Sequence, residues 1–167
     1  MNARKWILPL ILAAEIALVG QQSSPAPQTT LVVQTIGAQP LTLGPQDFAK
    51  LPQVKVSAKG HDEKVHEYSG VNLRDVLTQA GVTAGHELRG KEMADYVVAE
   101  ASDGYRAVFS LAELDPDLGN TQVILAENVD GQPLGAKEGP LRLVVPGDKR
   151  QARWVRMLTG IAVMRAQ

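Results

Sequence analysis

Apolar and polar residues alternate over short runs along most of the chain. In one clear case, Val54 and Val56 fall on one side of an extended segment, while Lys55 and Ser57 fall on the other. Other runs are rich in the β-branched and aromatic residues that strands prefer. We therefore predict strands at residues 31–36, 41–43, 54–58, 96–101, 105–109, 121–127, 141–145 and 161–164.

Helical patterns are fewer and shorter than the strand patterns. The clearest helix follows Asn72, which can cap the first turn, and it stops at Gly81. Its apolar face consists of Leu73, Val76, Leu77 and Ala80. Pro45 opens a helical turn over residues 45–51, and residues 110–113 have the Ser-x-x-Glu form of a capping box.

Turn signals separate these elements and indicate the fold class. Asp103-Gly104 favours a tight hairpin between two of the strands, and a second Asp-Gly pair stands at Asp130-Gly131. Many short strands with a few short helices are typical of an α+β domain and differ from the regular alternation of a βαβ fold. We predict one β-rich, mixed-sheet domain over residues 31–167, which is long enough for a single core.

The first twenty residues have the pattern of an export signal. Arg4 and Lys5 precede an apolar run at residues 6–19 that contains Glu15. This run is shorter than the roughly 20 residues that a membrane helix needs. Residues 21–30 are polar and contain proline, which predicts a flexible tether. We expect a periplasmic or secreted protein with no membrane contact after signal cleavage; the alternative is an uncleaved anchor.

The amino-acid composition excludes several kinds of functional site. The chain has no cysteine, so disulfides, thiolate metal sites, cysteine nucleophiles and lipid attachment at a lipobox cysteine are excluded. Residues 1–20 hold two basic and one acidic residue. Without them the chain has 15 Lys and Arg against 17 Asp and Glu, a net charge of −2. This balance gives no reason to expect nucleic acid as a partner.

A basic stretch surrounds the Pro146-Gly147 turn. Its members, within fifteen positions, are Arg142, Lys149, Arg150, Arg153 and Arg156. A loop with several guanidinium and ammonium groups can bind an anion such as a phosphate group. The alternative is that these residues are solvated charges on a loop surface. From sequence alone, both interpretations stay open.

Aromatic and histidine residues offer weaker candidates. Tyr105 follows the first Asp-Gly turn, where it is either a site residue or a packing residue at the start of a strand. His61 and His66 are separated by four residues, which is no known zinc spacing, so we expect polar loop residues there. The core should contain Phe48, Phe109 and Trp154.

Three segments in a fixed order, covering about the C-terminal two-thirds of the chain, carry a family resemblance. They are YSGVNLRDVL at residues 68–77, DGY at 103–105, and the stretch 123–163, which includes GPLRLVVPG at 139–147. Together they resemble the sulfite oxidase and bacterial methionine-sulfoxide-reductase group of molybdopterin enzymes. The resemblance implies the molybdopterin-binding fold of that group. It also implies that Arg153 and Arg156 lie beside the pterin and that Tyr105 lies near the metal.

One departure from the family changes the functional expectation. Catalytic members bind molybdenum through a cysteine in the region that corresponds to residues 54–62, and here that region reads VKVSAKGHD. We therefore expect an exported domain that binds an anionic small molecule, such as a pterin, or a partner protein, without catalysing redox chemistry alone. The expected cofactor-binding residues are Tyr105, Arg142, Lys149, Arg150, Arg153 and Arg156. The alternatives are a molybdopterin-dependent oxidoreductase with a non-cysteine metal site and a periplasmic protein-interaction module.

Overall fold

The computed structural model of the protein describes residues 29–167. The predicted export signal and all but the last two residues of the predicted tether lie outside this range. The strands of the described part are, in chain order, β1 (Leu31–Gln34), β2 (Leu41–Leu43), β3 (Gln53–Lys59), β4 (Val65–Asn72), β5 (Asp95–Ala101), β6 (Arg106–Ser110), β7 (Ile124–Val129), β8 (Gln132–Pro133), β9 (Arg142–Val144) and β10 (Leu158–Arg165). Each strand predicted from the sequence has a counterpart here.

The strands form two mixed or antiparallel sheets. The first has the order β2-β1-β10-β5-β6, in which β1 and β10 are parallel and the other neighbours are antiparallel. The second has the order β3-β4-β7-β8, and β9 also pairs with β7. Together with the few short helices, this arrangement confirms the predicted β-rich α+β class.

Helices connect the strands at three places: α1 (Pro45–Phe48), α2 (Leu73–Gln79) and α3 (Leu111–Leu114). The predicted capping box at α3 is confirmed, because Ser110 Oγ accepts from the Glu113 amide at 3.0 Å and Glu113 Oε1 accepts from the Ser110 amide at 2.9 Å. Asn72 is the N-cap of α2, but its side chain makes no capping bond to the backbone. None of the helices within residues 29–167 is long and apolar enough to cross a membrane.

One hydrophobic core joins the two sheets. Phe48 and Phe109 are fully buried and Trp154 is 5% exposed, as the sequence predicted. The indole N–H of Trp154 donates to the carbonyl oxygen of Val145 at 3.0 Å, so its one polar group is satisfied inside the core. This bond fixes the loop after β9 against the core, and that loop carries most of the basic stretch.

The strand β4, which lies between β3 and β7, is not predicted by the sequence pattern. Polar residues and Gly70 interrupt its apolar pattern. A Cβ built at Gly70 would lie 2.0 Å from the Leu125 carbonyl oxygen, so only glycine fits where the two strands approach most closely. The pairing register shifts between Ser69 and Gly70. Gly70 therefore weakens the strand pattern in the sequence, although the pairing of β4 with β7 requires a glycine at this position.

Candidate functional site

Two stretches of chain that are distant in sequence form the walls of an open cleft of about 590 Å³. One wall is the end of β3 and the turn after it, from Lys59 to Glu63; the other is the loop from Pro146 to Arg156. Gln151 Nε2 donates a hydrogen bond to the Lys59 carbonyl oxygen and joins the two walls. The region 54–62, where the family resemblance would place a cysteine, thus ends at this cleft.

Three of the predicted binding residues line the cleft as free cations. Lys149, Arg150 and Arg156 are exposed there. Within residues 29–167, no carboxylate lies within salt-bridge distance of any of the three. The buried Trp154 and Val155 anchor the backbone just before Arg156, so this cation extends from a fixed point.

The carboxylates of the cleft already have partners. Asp148 forms an ion pair with Arg153 at 2.7 Å, and Glu63 forms one with Lys59 across the turn. Asp103 accepts a hydrogen bond from the Tyr105 amide at 3.0 Å, as residues at the start of tight turns often do. The backbone amide does not neutralise Asp103, so this carboxylate keeps its negative charge, and the three cations Lys149, Arg150 and Arg156, unpaired within the described residues, leave the cleft with an excess of positive charge.

Tyr105 also lines the cleft, at its hairpin rim. Its side chain is 49% exposed, so it is not a core residue. Its hydroxyl donates to the carbonyl oxygen of Ala152 in the opposite loop. The hydroxyl oxygen keeps an acceptor lone pair but has used its proton, so Tyr105 bridges the hairpin to the basic loop.

Arg153 lies outside the cleft lining, unlike its neighbours. Its guanidinium donates to both oxygens of Asp148, at 2.9 and 2.7 Å, and to Glu113 at 3.3 Å. Its charge also lies over the Phe109 ring, 4.6 Å from the centroid. Hydrogen bonding to Asp148 is the main cause that raises the pKa of Arg153. This side chain joins the loop to α3, and its charge is paired with Asp148 and Glu113.

Arg142 likewise lies outside the cleft and is buried. Only 3% of its side chain is exposed, and Nη1 donates to Glu138 at 2.8 Å. The guanidinium lies 5.1 Å from the ring centroid of Trp154 and 5.6 Å from that of Tyr68, while Nε and Nη2 have no hydrogen-bond partner among residues 29–167. It lines a second cavity of about 280 Å³. Its position beneath two aromatic rings is that of a packed cation–π residue.

The second cavity contains a histidine contact that the sequence analysis did not find. His66 Nδ1 lies 2.6 Å from Asp130 Oδ2, and His66 Nε2 lies 3.0 Å from Asp62 Oδ1. Asp130 belongs to the second Asp-Gly turn, in which both residues have positive φ. The sequence explains Asp130 fully as a turn residue, and no local signal connects it to a histidine 64 positions away.

His61 lines both cavities. In the part of the chain that the structure describes, no group of three His, Asp, Glu or Cys side chains has a metal-binding arrangement. His66 instead has both ring nitrogens engaged by carboxylates. The structure therefore brings Tyr105, Lys149, Arg150 and Arg156 together and places Arg142 and Arg153 elsewhere.

Comparisons with known proteins agree with this fold. The crystal structure of the sulfane dehydrogenase SoxCD from Paracoccus pantotrophus is similar, with a TM-score of 0.62 and 21% sequence identity. The similarity covers 80% of this chain and 37% of that chain, so the protein corresponds to well under half of its structural neighbour. A search of the curated proteins gave no match. The profile of the oxidoreductase molybdopterin-binding domain matches residues 21–167, and the chain belongs to that family.

Proposed function

We propose that the cleft binds an anionic small molecule of the pterin phosphate type and that the chain does not catalyse redox chemistry by itself. The observation that carries this proposal is the set of three uncompensated cations, Lys149, Arg150 and Arg156, in one open cleft. Several guanidinium and ammonium donors around one space suit a phosphate group, which accepts many hydrogen bonds.

The cleft residues fit the phosphate of the family's cofactor. Lys149, Arg150 and Arg156 can donate several hydrogen bonds to it, and the half-exposed Tyr105 lines the same space. The phosphate end of the molecule therefore has a chemical counterpart in the cleft.

The residues do not fit the metal in the same way. The chain contains no thiolate, which is the soft ligand that the family uses for molybdenum. The wall that ends region 54–62 presents Lys59, Gly60 and His61 to the cleft, and none of these residues supplies a soft thiolate donor; the imidazole of His61 is a harder ligand than a thiolate. The alternative function, a molybdopterin-dependent oxidoreductase with a non-cysteine metal site, would require the protein to bind molybdenum, which can be measured.

The test is to purify the protein from cells that make the molybdenum cofactor and to measure bound pterin by fluorescence and molybdenum by mass spectrometry. We expect pterin in the wild type, little metal, and loss of pterin in the Lys149→Ala/Arg150→Ala/Arg156→Ala variant. Arg106→Ala is the matched control, because Arg106 is an exposed cation paired with Glu100. Stoichiometric molybdenum would instead support the oxidoreductase, and neither molecule would favour a protein-interaction module.

Export is a second part of the proposal. The support is the sequence of residues 1–20, with Arg4 and Lys5 before an apolar run. We expect the protein in the extracytoplasmic fraction, with a mature mass that lacks about the first 20 residues. A full-length protein in the membrane fraction would favour the retained anchor instead. Replacement of Arg4 and Lys5 by Glu should slow export, which pulse labelling can measure.

A further inference from the structure

His66 lies between two carboxylates that belong to two different hairpin turns. Asp62 comes from the turn between β3 and β4, and Asp130 from the turn between β7 and β8. The two contacts use opposite ring nitrogens, at 3.0 and 2.6 Å. One imidazole thus connects the tips of two hairpins, and we call this set of three residues the His66 bridge.

Each carboxylate of the bridge also binds backbone. Asp130 Oδ1 accepts from the Glu67 amide at 2.9 Å, and Asp62 Oδ1 accepts from the Lys64 amide at 3.1 Å. Asp62 is therefore held within its own turn, whereas Asp130 is held by the backbone of β4, the strand that carries His66. A change in the hydrogen bonds of His66 therefore also affects the backbone at Lys64 and Glu67, whose amides are bound to the two carboxylates.

The turn on the Asp62 side is also a wall of the cleft. Its residues Gly60, His61 and Glu63 line the 590 Å³ cleft. A Cβ at Gly60 would lie 2.8 Å from both Asp62 Oδ1 and His66 Cδ2, so the imidazole and its partner pack directly against the wall backbone. The His66 bridge therefore lies directly behind this wall of the cleft.

We infer that His66 is a positioning residue for the ligand cleft: in its charged form it holds the turn at residues 60–64 against the β7–β8 turn and so keeps the cleft wall in its binding position. The inference rests on the proposed function, because it concerns the affinity of that cleft for an anion. His66 itself does not line the cleft and acts through the backbone of the turn, against which it packs at Gly60.

Charge explains why the bridge depends on protonation. Only an imidazolium has N–H groups on both ring nitrogens, so a neutral ring can donate to one carboxylate and must turn a lone pair toward the other. Hydrogen bonds to Asp130 and then to Asp62 raise the pKa of His66 above its ordinary value of 6.5. The same bonds lower the pKa of both acids below 3.8.

The direction of the pH effect follows from these shifts. Because the pKa of His66 is raised, its contribution is fully present below pH 6.5 and is lost as pH rises through the folded pKa. Because the carboxyl pKa values are lowered, their contribution is lost only as pH falls below 3.8 through the folded values. Other polar or charged groups of the same cavity are His61, Tyr68, Glu138 and Arg142.

The test measures two signals across pH 5–9: the affinity for inorganic pyrophosphate by calorimetry, and the backbone amide shifts of residues 60–64 and 130–131 by NMR. We expect the amide shifts of the wild type to follow the titration of the His66 ring. The affinity of the wild type relative to His66→Gln should fall about fivefold as the ring loses its charge, and the protonation of pyrophosphate itself cancels from this ratio. His66→Gln should abolish the amide titration and have the weaker affinity at every pH.

His61→Gln is the matched control, because His61 lines the cleft and would itself produce a pH step if it touched the anion. It should leave the amide titration of residues 60–64 in place. The inference is overturned if those amide shifts do not change with the titration of His66. It is also overturned if the pH-dependent change in affinity is still present in His66→Gln but absent in His61→Gln. Absence of pyrophosphate binding at every pH, with the amide titration intact, would refute the proposed function and with it the link to affinity.

Discussion

Five basic residues within one short stretch of chain divide into two groups with different surroundings. Arg142 and Arg153 each have carboxylate partners and aromatic rings, and both lie outside the cleft lining. The other three line the cleft without a carboxylate partner in the described residues. The difference shows that a basic stretch is not one functional unit, since partners supplied by the fold decide which charges remain available to a ligand.

The division follows from where the backbone places each residue. Arg142 is on β9, whose side chains are all buried, so its charge must be compensated by Glu138 and two rings. Arg153 ends a short 3-10 helix at Gln151–Arg153 that lies next to β6, and there it meets Glu113 and Phe109. Lys149 and Arg150 lie in the exposed loop, and Arg156 directly follows Val155; all three are exposed, so water solvates them.

The largest effect on stability should come from Arg142→Ala. This change leaves Glu138 without its cation and opens a void beneath Trp154 and Tyr68, and we expect a loss of about 3 kcal/mol in the free energy of unfolding. Urea unfolding measures it, with Arg106→Ala as the control that should change stability by less than about 0.5 kcal/mol. If the Arg142→Ala variant were as stable as this control, the pairing of Arg142 would not distinguish it from the unpaired cations of the cleft.

Arg153→Ala should have an intermediate effect. The side chain is one-third exposed, so solvent weakens its ion pairs, and we expect a loss of about 1 kcal/mol, including its contact with the Phe109 ring. The change also frees Asp148, which lines the cleft, and an unpaired carboxylate there should weaken anion binding by about twofold to threefold. Unfolding and pyrophosphate titration of the same sample test both effects, and unchanged affinity would mean that Asp148 does not reach the ligand.

The smallest effect on stability should come from removal of the three free cations together. Because they make no ion pair within the described residues and repel one another, the triple alanine variant should unfold within about 0.5 kcal/mol of the wild type. A large loss of stability would show that these side chains stabilise the fold and are not free to bind a ligand.

Local patterns in the sequence predicted most of the fold. The alternation at β3, the capping box of α3 and the Asp-Gly turns each depend on residues a few positions apart. The strand β4 escaped prediction because the requirement for Gly70 comes from Leu125, which lies on another strand. A pattern along one strand contains no information on how closely a partner strand approaches.

The site was predictable to a smaller extent, for the same reason. The basic stretch and Tyr105 are visible in the sequence, and four of the six predicted residues line one cleft. The partners that remove Arg153 from that set include Glu113, which is 40 positions away, and His66 and Asp130 of the His66 bridge are 64 positions apart. Only the tertiary fold shows which charges are compensated, so the sequence alone left the two interpretations of the basic stretch open.

The most direct test compares the affinity of the wild type, the Lys149→Ala/Arg150→Ala/Arg156→Ala variant and Arg106→Ala for inorganic pyrophosphate at pH 6 and low salt. We predict that the triple variant binds at least about tenfold more weakly while Arg106→Ala stays within about twofold of the wild type. Equal affinities for all three proteins, or no binding by the wild type, would contradict the proposal that the free cations of the cleft form an anion site.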